Sequence, residues 1–392
     1  MQGKHLIPIS LVFIGVLLSL TGMLYYLLEH SGLKEAVEAQ PAAVSEPAPV
    51  VTNSPALAPA PPTAPENSGP SARDMWKAGA KIFLEPVIEA PDAAVELGEH
   101  VRVCSYNIEN FADGYQDGPR RTTERQRRQA FFASEIIREI DPDILMIQEI
   151  ENEQSLRWLN EYCNDRFSAG YITSFSRRGN RVKLNLAVLS RIPIDQAMEL
   201  DFGEMDFQNP PPRGLLRFMV SLGGNRRLLC YVTHLKSNWG SPEKNEAKRR
   251  NAMRILRKDM EQFVAEQTDT DWEILIAGDM NVDPENERFR NDRTLNPFSD
   301  YVDLWHGRAI SERTTIPTRH GNSDFVFPPA AFDRMLVSPD LTQIPWKMSP
   351  LVSYQQGVDT EDNSAEPGDS RRHVSDHYPV YGDILRSEQP TS

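Results

Sequence analysis

The sequence predicts an α+β fold in which two β-sheets pack face to face with helices outside them, carried behind a membrane span and a linker. Three observations lead there. Short apolar runs rich in β-branched residues recur from Val101 to Ile384 without regular β-α alternation. Only two long segments have helical spacing, and the first 75 residues differ in composition from everything after them.

Residues 1–5 are a short lead, and residues 6–28, LIPISLVFIGVLLSLTGMLYYLL, carry no charge. About 20 apolar residues at 1.5 Å rise cross a bilayer core, so this stretch is long enough to span. Tyr25, Tyr26, Leu27 and Leu28 run straight into Glu29 and His30 with no small-residue cleavage site, which favours an uncleaved signal anchor. Lys4 and the amino terminus precede the span, while Lys34 follows it among Glu29, Glu35 and Glu38. We read the chain as N-in, a single-pass membrane protein with its bulk outside the cytoplasm, periplasmic or extracellular. Residues 29–75 contain the Pro/Ala-rich stretch Pro41–Pro70, too poor in bulky apolar residues to pack and too rich in proline for ladders. As polyproline II at about 3.1 Å per residue, it would reach up to about 90 Å from the bilayer.

One large domain occupies residues 76–388, before a tail of 389–392. Strands are expected at Val101–Tyr106, Ile144–Ile147, Leu184–Leu189, Phe218–Leu222, Leu228–Val232, Ile274–Ala277, Phe332–Val337 and Tyr378–Ile384. Amphipathic helices are expected over Thr123–Ile140, through Phe131, Phe132, Ile136 and Ile137, and over Glu243–Glu266, through Ala252, Ile255, Leu256 and Phe263.

The 42 Lys and Arg against 56 Asp and Glu give a net charge of −14, so the chain as a whole repels a polyphosphate. Any nucleic-acid activity must use local patches. Three cysteines without CxxC spacing exclude a disulfide framework and a cysteine zinc cluster.

Several expected strands end in polar groups: SYNIE at 105–109, Gln148-Glu149, Thr233-His234, GDMN at 278–281 and Ser375-Asp376-His377. Each alone is a weak signal, because strands commonly finish in polar turns. Together they bring at least four carboxylates and two histidines to strand ends. Carboxylates and amide oxygens without thiolates suit a hard cation such as Mg²⁺, with Mn²⁺ as the alternative. Glu149, at the end of a buried run, is the best direct ligand, and Asn107 or Glu109 could supply a second oxygen. Asp279 and Asn281, two apart, share a side of an extended segment; one can hold a water while the other donates to phosphate. Asp333 or Asp376 could orient His377.

The ordered motifs SYNIENF, IQEIEN, THLKSN, GDMN, FDRMLVS and SDHYPV resemble those of the endonuclease/exonuclease/phosphatase superfamily, the deoxyribonuclease I-like fold, over roughly Val101–Leu385. The resemblance implies a four-layer αββα sandwich of two mainly antiparallel sheets and Mg²⁺-dependent phosphoester hydrolysis. It makes Glu149 the principal metal ligand and Asn107 a metal-site and phosphate-orienting residue. His234 and Asn281 become phosphate contacts, with His234 also in the catalytic set. Asp279 positions water, and His377, paired with Asp333, acts as general base or stabilises the transition state. Asp376 lies beside the metal site. Glu109 and Arg334 stand at positions where the superfamily pattern varies; on a strand Arg334 faces away from Asp333, which suits a structural role.

The superfamily includes nucleases, inositol-phosphate phosphatases, sphingomyelin phosphodiesterases and noncatalytic relatives. A nucleic-acid phosphodiester is the first expectation for the substrate. Arg120, Arg121, Arg125, Arg127, Arg128, Arg177, Arg178, Arg181 and Lys183 offer a basic rim, Lys244, Lys248, Arg249 and Arg250 further cations, and Trp239 a ring to stack on a base. Against it stands the acidic segment Asp359–Asp369. A lipid or small-molecule phosphohydrolase comes second and a noncatalytic scaffold third. The sequence points to no protein partner.

Overall fold

The computed structural model describes residues 81–89, 98–175, 184–202, 211–318, 329–362 and 364–387. The span of residues 6–28, the linker of 29–75, the tail, and Arg177, Arg178, Arg181 and Lys183 lie outside them. Among the described residues no helix is long and apolar enough to cross a membrane.

In chain order the strands are β1 (Lys81–Phe83), β2 (His100–Phe111), β3 (Ile144–Ile150), β4 (Ala169–Ile172), β5 (Asn185–Ser190), β6 (Ile194–Leu200) and β7 (Leu215–Gly223). They continue as β8 (Arg226–His234), β9 (Asp271–Asp279), β10 (Val302–Asp303), β11 (Asp333–Val337), β12 (Trp346–Met348), β13 (Val352–Ser353) and β14 (Val380–Arg386). The helices are α1 (Thr123–Ile140), α2 (Glu153–Tyr162), α3 (Pro242–Ala265) and the short α4 (Ile310–Arg313).

Among the described residues two seven-stranded sheets result. One runs β1-β6-β7-β8-β9-β11-β10, and the other β12-β14-β2-β3-β5-β4 with β13 beside β14. Every pairing is antiparallel except β2 with β3 and β8 with β9. Parallel neighbours need a crossover, and α1 and α3 are those two crossovers. Each helix is started by a side chain that accepts from its first turn: Thr122 Oγ1 from the Arg125 amide, and Ser241 Oγ from the Lys244 amide, with Pro242 opening α3.

Side-chain alternation sorts the strands into layers. Val103, Met146, Val188, Val232, Leu275 and Met335 face one another between the sheets. Cys104, Tyr106, Leu145 and Ile147 face outward under Ile136 and Ile137 of α1 and Leu156 and Leu159 of α2. On the other side Leu229, Tyr231 and Ile276 lie under Ala252, Met253 and Leu256 of α3. The order is helices, sheet, sheet, helix, and the sheets are mixed but mainly antiparallel. All eight apolar runs and both long periodic segments appear as strands and helices. The runs do not announce β1, β4, β6, β10, β12, β13 or the shorter α2 and α4, whose sequences are brief or mix polar residues with apolar ones.

Candidate active site

The alternation that builds the inter-sheet core continues past its end. Along β2, Val103 leads to Ser105 and Asn107; along β8, Val232 leads to His234; along β9, Ala277 leads to Asp279. β11 runs the opposite way, with Asp333 paired to Asp279, and β14 pairs Val380 with Ser105, so the segment entering β14 arrives at the same end. Ser375 latches that segment: its hydroxyl donates to the Asn107 carbonyl at 2.7 Å and accepts from the His377 amide at 3.1 Å. Asn107, His234, Asp279, Asn281, Asp333 and His377 are all buried there.

Glu149 reaches the site by a different device. Alternation after Leu145 and Ile147 would send it outward, toward the helices. Its φ of 63° and the register shift between Gln148 and Ile150 turn it back instead. Its Oε2 accepts from the Asn110 amide at 2.9 Å and its Oε1 from Asn107 Nδ2 at 3.2 Å. A second special position is Gly278, whose φ is +139° and where a Cβ would lie 1.9 Å from the Thr233 carbonyl oxygen. Only glycine lets β9 approach β8 this closely beside Asp279.

Asp279 is the hub. Its Oδ1 accepts from the Asn281 amide at 2.9 Å, and its Oδ2 from Asn281 Nδ2 at 2.8 Å and Asn107 Nδ2 at 3.4 Å. His234 Nε2 lies 3.4 Å from Asp279 and 3.6 Å from Glu149. His377 sets Nδ1 2.7 Å from Asp333, and its Nε2 lies 3.9 Å from Asp279 and 3.7 Å from Asp376.

Burial, helped by Asp333 and Glu149, pushes the Asp279 carboxyl up to about 7 although His377 opposes it. Burial also raises Glu149, with Asp376 adding to it. His234 stands well below the ordinary histidine value because it is buried near Arg213, His377 and Lys236, so its imidazole is neutral at pH 7. Burial would lower His377 too, but the carboxylates of Asp333, Asp376 and Asp279 outweigh it and hold the ring well above the ordinary value.

This donor set fits a hard divalent cation. Its carboxylates are buried and disfavoured as anions, and Cys104, Cys163 and Cys230 are buried in the cores, away from it. Glu149 would hold such an ion, with Asn107 turning its amide oxygen inward in place of the nitrogen that now faces the carboxylates.

Two of the residues selected as ligands from sequence are placed less centrally. Glu109 directs its carboxylate to His373 Nε2, 3.9 Å away, beside a cavity of about 400 Å³ that Asn110, Arg120, Arg121 and Glu366 also line. Asp376 stands partly exposed at the mouth, near His377. A separate group of three carboxylates, Asp113, Asp117 and Glu151, lies within 4.8 Å of one another and includes none of the expected ligands. Asp113 there caps local structure, accepting from the Tyr115 amide and from Asn152 Nδ2.

Sequence reasoning missed Arg213, which follows three prolines ahead of β7. It donates to the His234 carbonyl at 3.0 Å and the Leu235 carbonyl at 2.8 Å, and Glu149 and Asp279 both act on its charge. Among the described residues the expected basic rim is largely spent on internal pairs. Arg120 meets Glu366, Arg125 meets Asp369, Arg128 meets Glu124, and Arg127 lies over the Trp158 ring. The acidic segment thus neutralises part of the arginine stretch. Arg249 is buried on Asp292, Arg250 pairs with Glu246, and Arg334 binds Asp303 on the face away from Asp333.

A two-sheet sandwich with its acid, base and amide groups gathered on one lip is a phosphoesterase fold. The chain belongs to the Endonuclease/Exonuclease/phosphatase family, whose profile it matches over residues 104–377. Members of this family are phosphoester hydrolases.

Among solved structures, TDP2 from Caenorhabditis elegans is 17% identical with a TM-score of 0.50, the match covering 73% of this chain and 74% of that one. TDP2 of D. rerio, complexed with a single strand DNA product, is 16% identical with a TM-score of 0.51, covering 73% and 98%. Sphingomyelinase C from Streptomyces griseocarneus is 17% identical with a TM-score of 0.50, covering 72% and 99%. At these identities the likeness is one of fold. No curated protein matches the sequence at a significant level.

Proposed function

We propose that this protein is a divalent-metal-dependent phosphodiesterase acting on nucleic acid, anchored in a membrane through residues 6–28 with its catalytic domain outside the cytoplasm. The observation that carries the hydrolase reading is the convergence of Glu149, Asn107, Asp279, His234 and the His377–Asp333 pair, each with a polar atom no more than 3.9 Å from another of the set. Mg²⁺ or Mn²⁺ at Glu149 would supply charge neutralisation at the phosphoryl oxygens.

The chain's own groups supply the rest. Asp279, held by two bonds from Asn281, orients the attacking water and takes its proton; a carboxyl near 7 is poised for that at neutral pH. His377, kept cationic by Asp333, donates from Nε2 to oxygens that gain charge. Neutral His234 presents Nε2 to the same space, while Arg213 adds a fixed positive charge behind it.

Lys244 and Lys248 favour nucleic acid as the substrate, since neither side chain has an ion-pair partner among the described residues and both lie at the start of the helix that follows the His234 loop. A lipid phosphodiester is the second reading, favoured by the apolar span and by a neighbour of the same fold named as a sphingomyelinase.

The test is turnover of single- and double-stranded DNA, RNA, inositol phosphates and sphingomyelin by the full chain and by His377→Ala, with Mg²⁺ and with EDTA. Nucleic-acid cleavage that needs both metal and His377 is expected. Hydrolysis of sphingomyelin alone would reverse the ranking. Membrane fractionation with protease accessibility tests the anchor, and recovery of the chain in the cytoplasmic soluble fraction would contradict it.

A further inference from the structure

We infer that the loop after β8, residues 235–241, is a stacking platform for an unpaired nucleobase, with Trp239 as its ring and Lys244 and Lys248 as the phosphate contacts beside it. The strand is therefore single where it enters the site. This rests on the nucleic-acid reading above and deepens it.

Trp239 is 82% exposed, although it follows His234 by only five residues. An exposed indole on a mobile loop would mean little, but this loop is tied down along its length. Lys236 Nζ donates to the Ser237 and Trp239 carbonyls at 3.0 and 3.1 Å, and Asn245 Nδ2 donates to the same Trp239 carbonyl at 2.9 Å. Buried Arg249 donates from Nη1 to the Lys236 carbonyl at 3.3 Å and to Asn238 Oδ1 at 3.0 Å. Asn238 Nδ2 in turn donates to the carbonyl of Asn281, a residue of the site itself, at 3.0 Å. The backbone under the ring is thus fixed to α3 on one side and to the catalytic lip on the other. A fixed aromatic ring gains its contact at little ordering cost.

The surroundings select the occupant. Lys244 and Lys248 are four apart and share one face of the first turns of α3, free of carboxylate partners among the described residues. Arg249 is matched by Asp292 and Arg250 by Glu246, which leaves Lys236, Lys244 and Lys248 against Glu243 in this segment, a local positive excess on an otherwise acidic chain. The large exposed apolar side chains of the described residues are otherwise Phe83, Tyr115, Phe131, Val302, Ile310, Ile344, Val352 and Leu385, none of them on this loop or on α3. A lone ring among cations lacks the apolar area for insertion into a bilayer and matches a base flanked by phosphates. Bases inside a duplex are already stacked on both faces, so along the body of a strand the ring takes an unpaired one.

The test measures KM and kcat of the full chain, Trp239→Ala, Trp239→Phe and Lys244→Gln/Lys248→Gln on a single-stranded oligonucleotide and on its blunt duplex, at two salt concentrations. Wild type should prefer the single strand. Trp239→Ala should raise KM on it by about tenfold and erase the preference, as loss of one base–aromatic stack does, while Trp239→Phe keeps most of it. The lysine double variant should weaken binding to both strands and flatten the salt dependence. Equal KM for wild type and Trp239→Ala on the single strand, or a wild-type preference for duplex, overturns the platform while leaving the nuclease reading intact. If wild type cleaves no nucleic acid but hydrolyses sphingomyelin vesicles, both readings fall, and a Trp239→Ala defect there would assign the ring to the membrane.

Discussion

His377 and Asp333 join the two sheets through one hydrogen bond: Nδ1 lies 2.7 Å from Oδ2, with both side chains buried. Asp333 opens β11 in one sheet, and His377 lies three residues ahead of the start of β14 in the other. The pair is a clasp at the site's end of the sandwich, and under the proposed function it also handles a proton.

Asp333→Asn should therefore lower kcat by about 100-fold or more, because His377 loses the partner that fixes its tautomer and holds its charge. Stability should respond with a definite sign. His377 is raised above its ordinary value of 6.5, so its contribution is fully present below that pH and is lost as pH rises through the folded-state value. Thermal unfolding in EDTA should show the variant's deficit at pH 6 shrinking at pH 9; a deficit that does not change with pH would contradict the assignment.

Glu149→Gln should abolish metal-dependent turnover yet raise the unfolding temperature of the metal-free protein at pH 7. Burial raises this carboxyl in the folded chain, so its ionised form opposes folding, with the penalty complete above the folded-state value and relieved as pH falls toward 4.5. Mg²⁺ should stabilise wild type and leave the variant unmoved. Calorimetry with and without the ion checks both halves.

Gly278→Ala should destabilise the domain by several kcal/mol, the order expected when glycine-only backbone strain of about 1–3 kcal/mol adds to a backbone clash. Its Cβ would meet the Thr233 carbonyl, which has no rotamer to move to. Because Asp279 follows directly, the refolded fraction should also lose turnover. Urea unfolding and activity per folded molecule separate the two effects.

Asp259→Ala probes the opposite face. Asp259 of α3 accepts from Arg217 and from the Tyr231 hydroxyl, each at 2.8 Å, and pairs with Lys81 at 2.8 Å. Its loss leaves the Arg217 guanidinium buried without a counter-charge, which costs about 3–5 kcal/mol. Urea denaturation should show that loss, and Asp259→Asn, which keeps an acceptor but not the charge, should recover only part of it.

The eight apolar runs and the two long amphipathic segments were legible because their signal is local: burial on a strand or helix repeats every two or 3.6 residues. The same period placed Asn107, His234, Asp279 and Asp333 on the face that lines the site. β6, IDQAMEL, was not legible, since its Glu199 is buried by Ser174, 25 residues away, and breaks the apolar alternation. Arg213 carried no local mark either, because its role depends on the His234 and Leu235 carbonyls it meets across the β7–β8 pairing.

By itself, then, the sequence determined a charge-free stretch long enough to span a bilayer, a proline-rich stretch after it, the strand faces and the ordered polar motifs of the family. Only the tertiary structure decided where Glu149 points, because a register shift and a left-handed backbone override alternation at that one residue. It also decided which cations remain available. Arg120 and Arg125 read as a basic rim in one dimension, yet they meet Glu366 and Asp369 from more than 200 residues away. Lys244 and Lys248 meet no carboxylate among the described residues. Periodicity is a property of neighbours along the chain, whereas charge pairing is a property of neighbours in space.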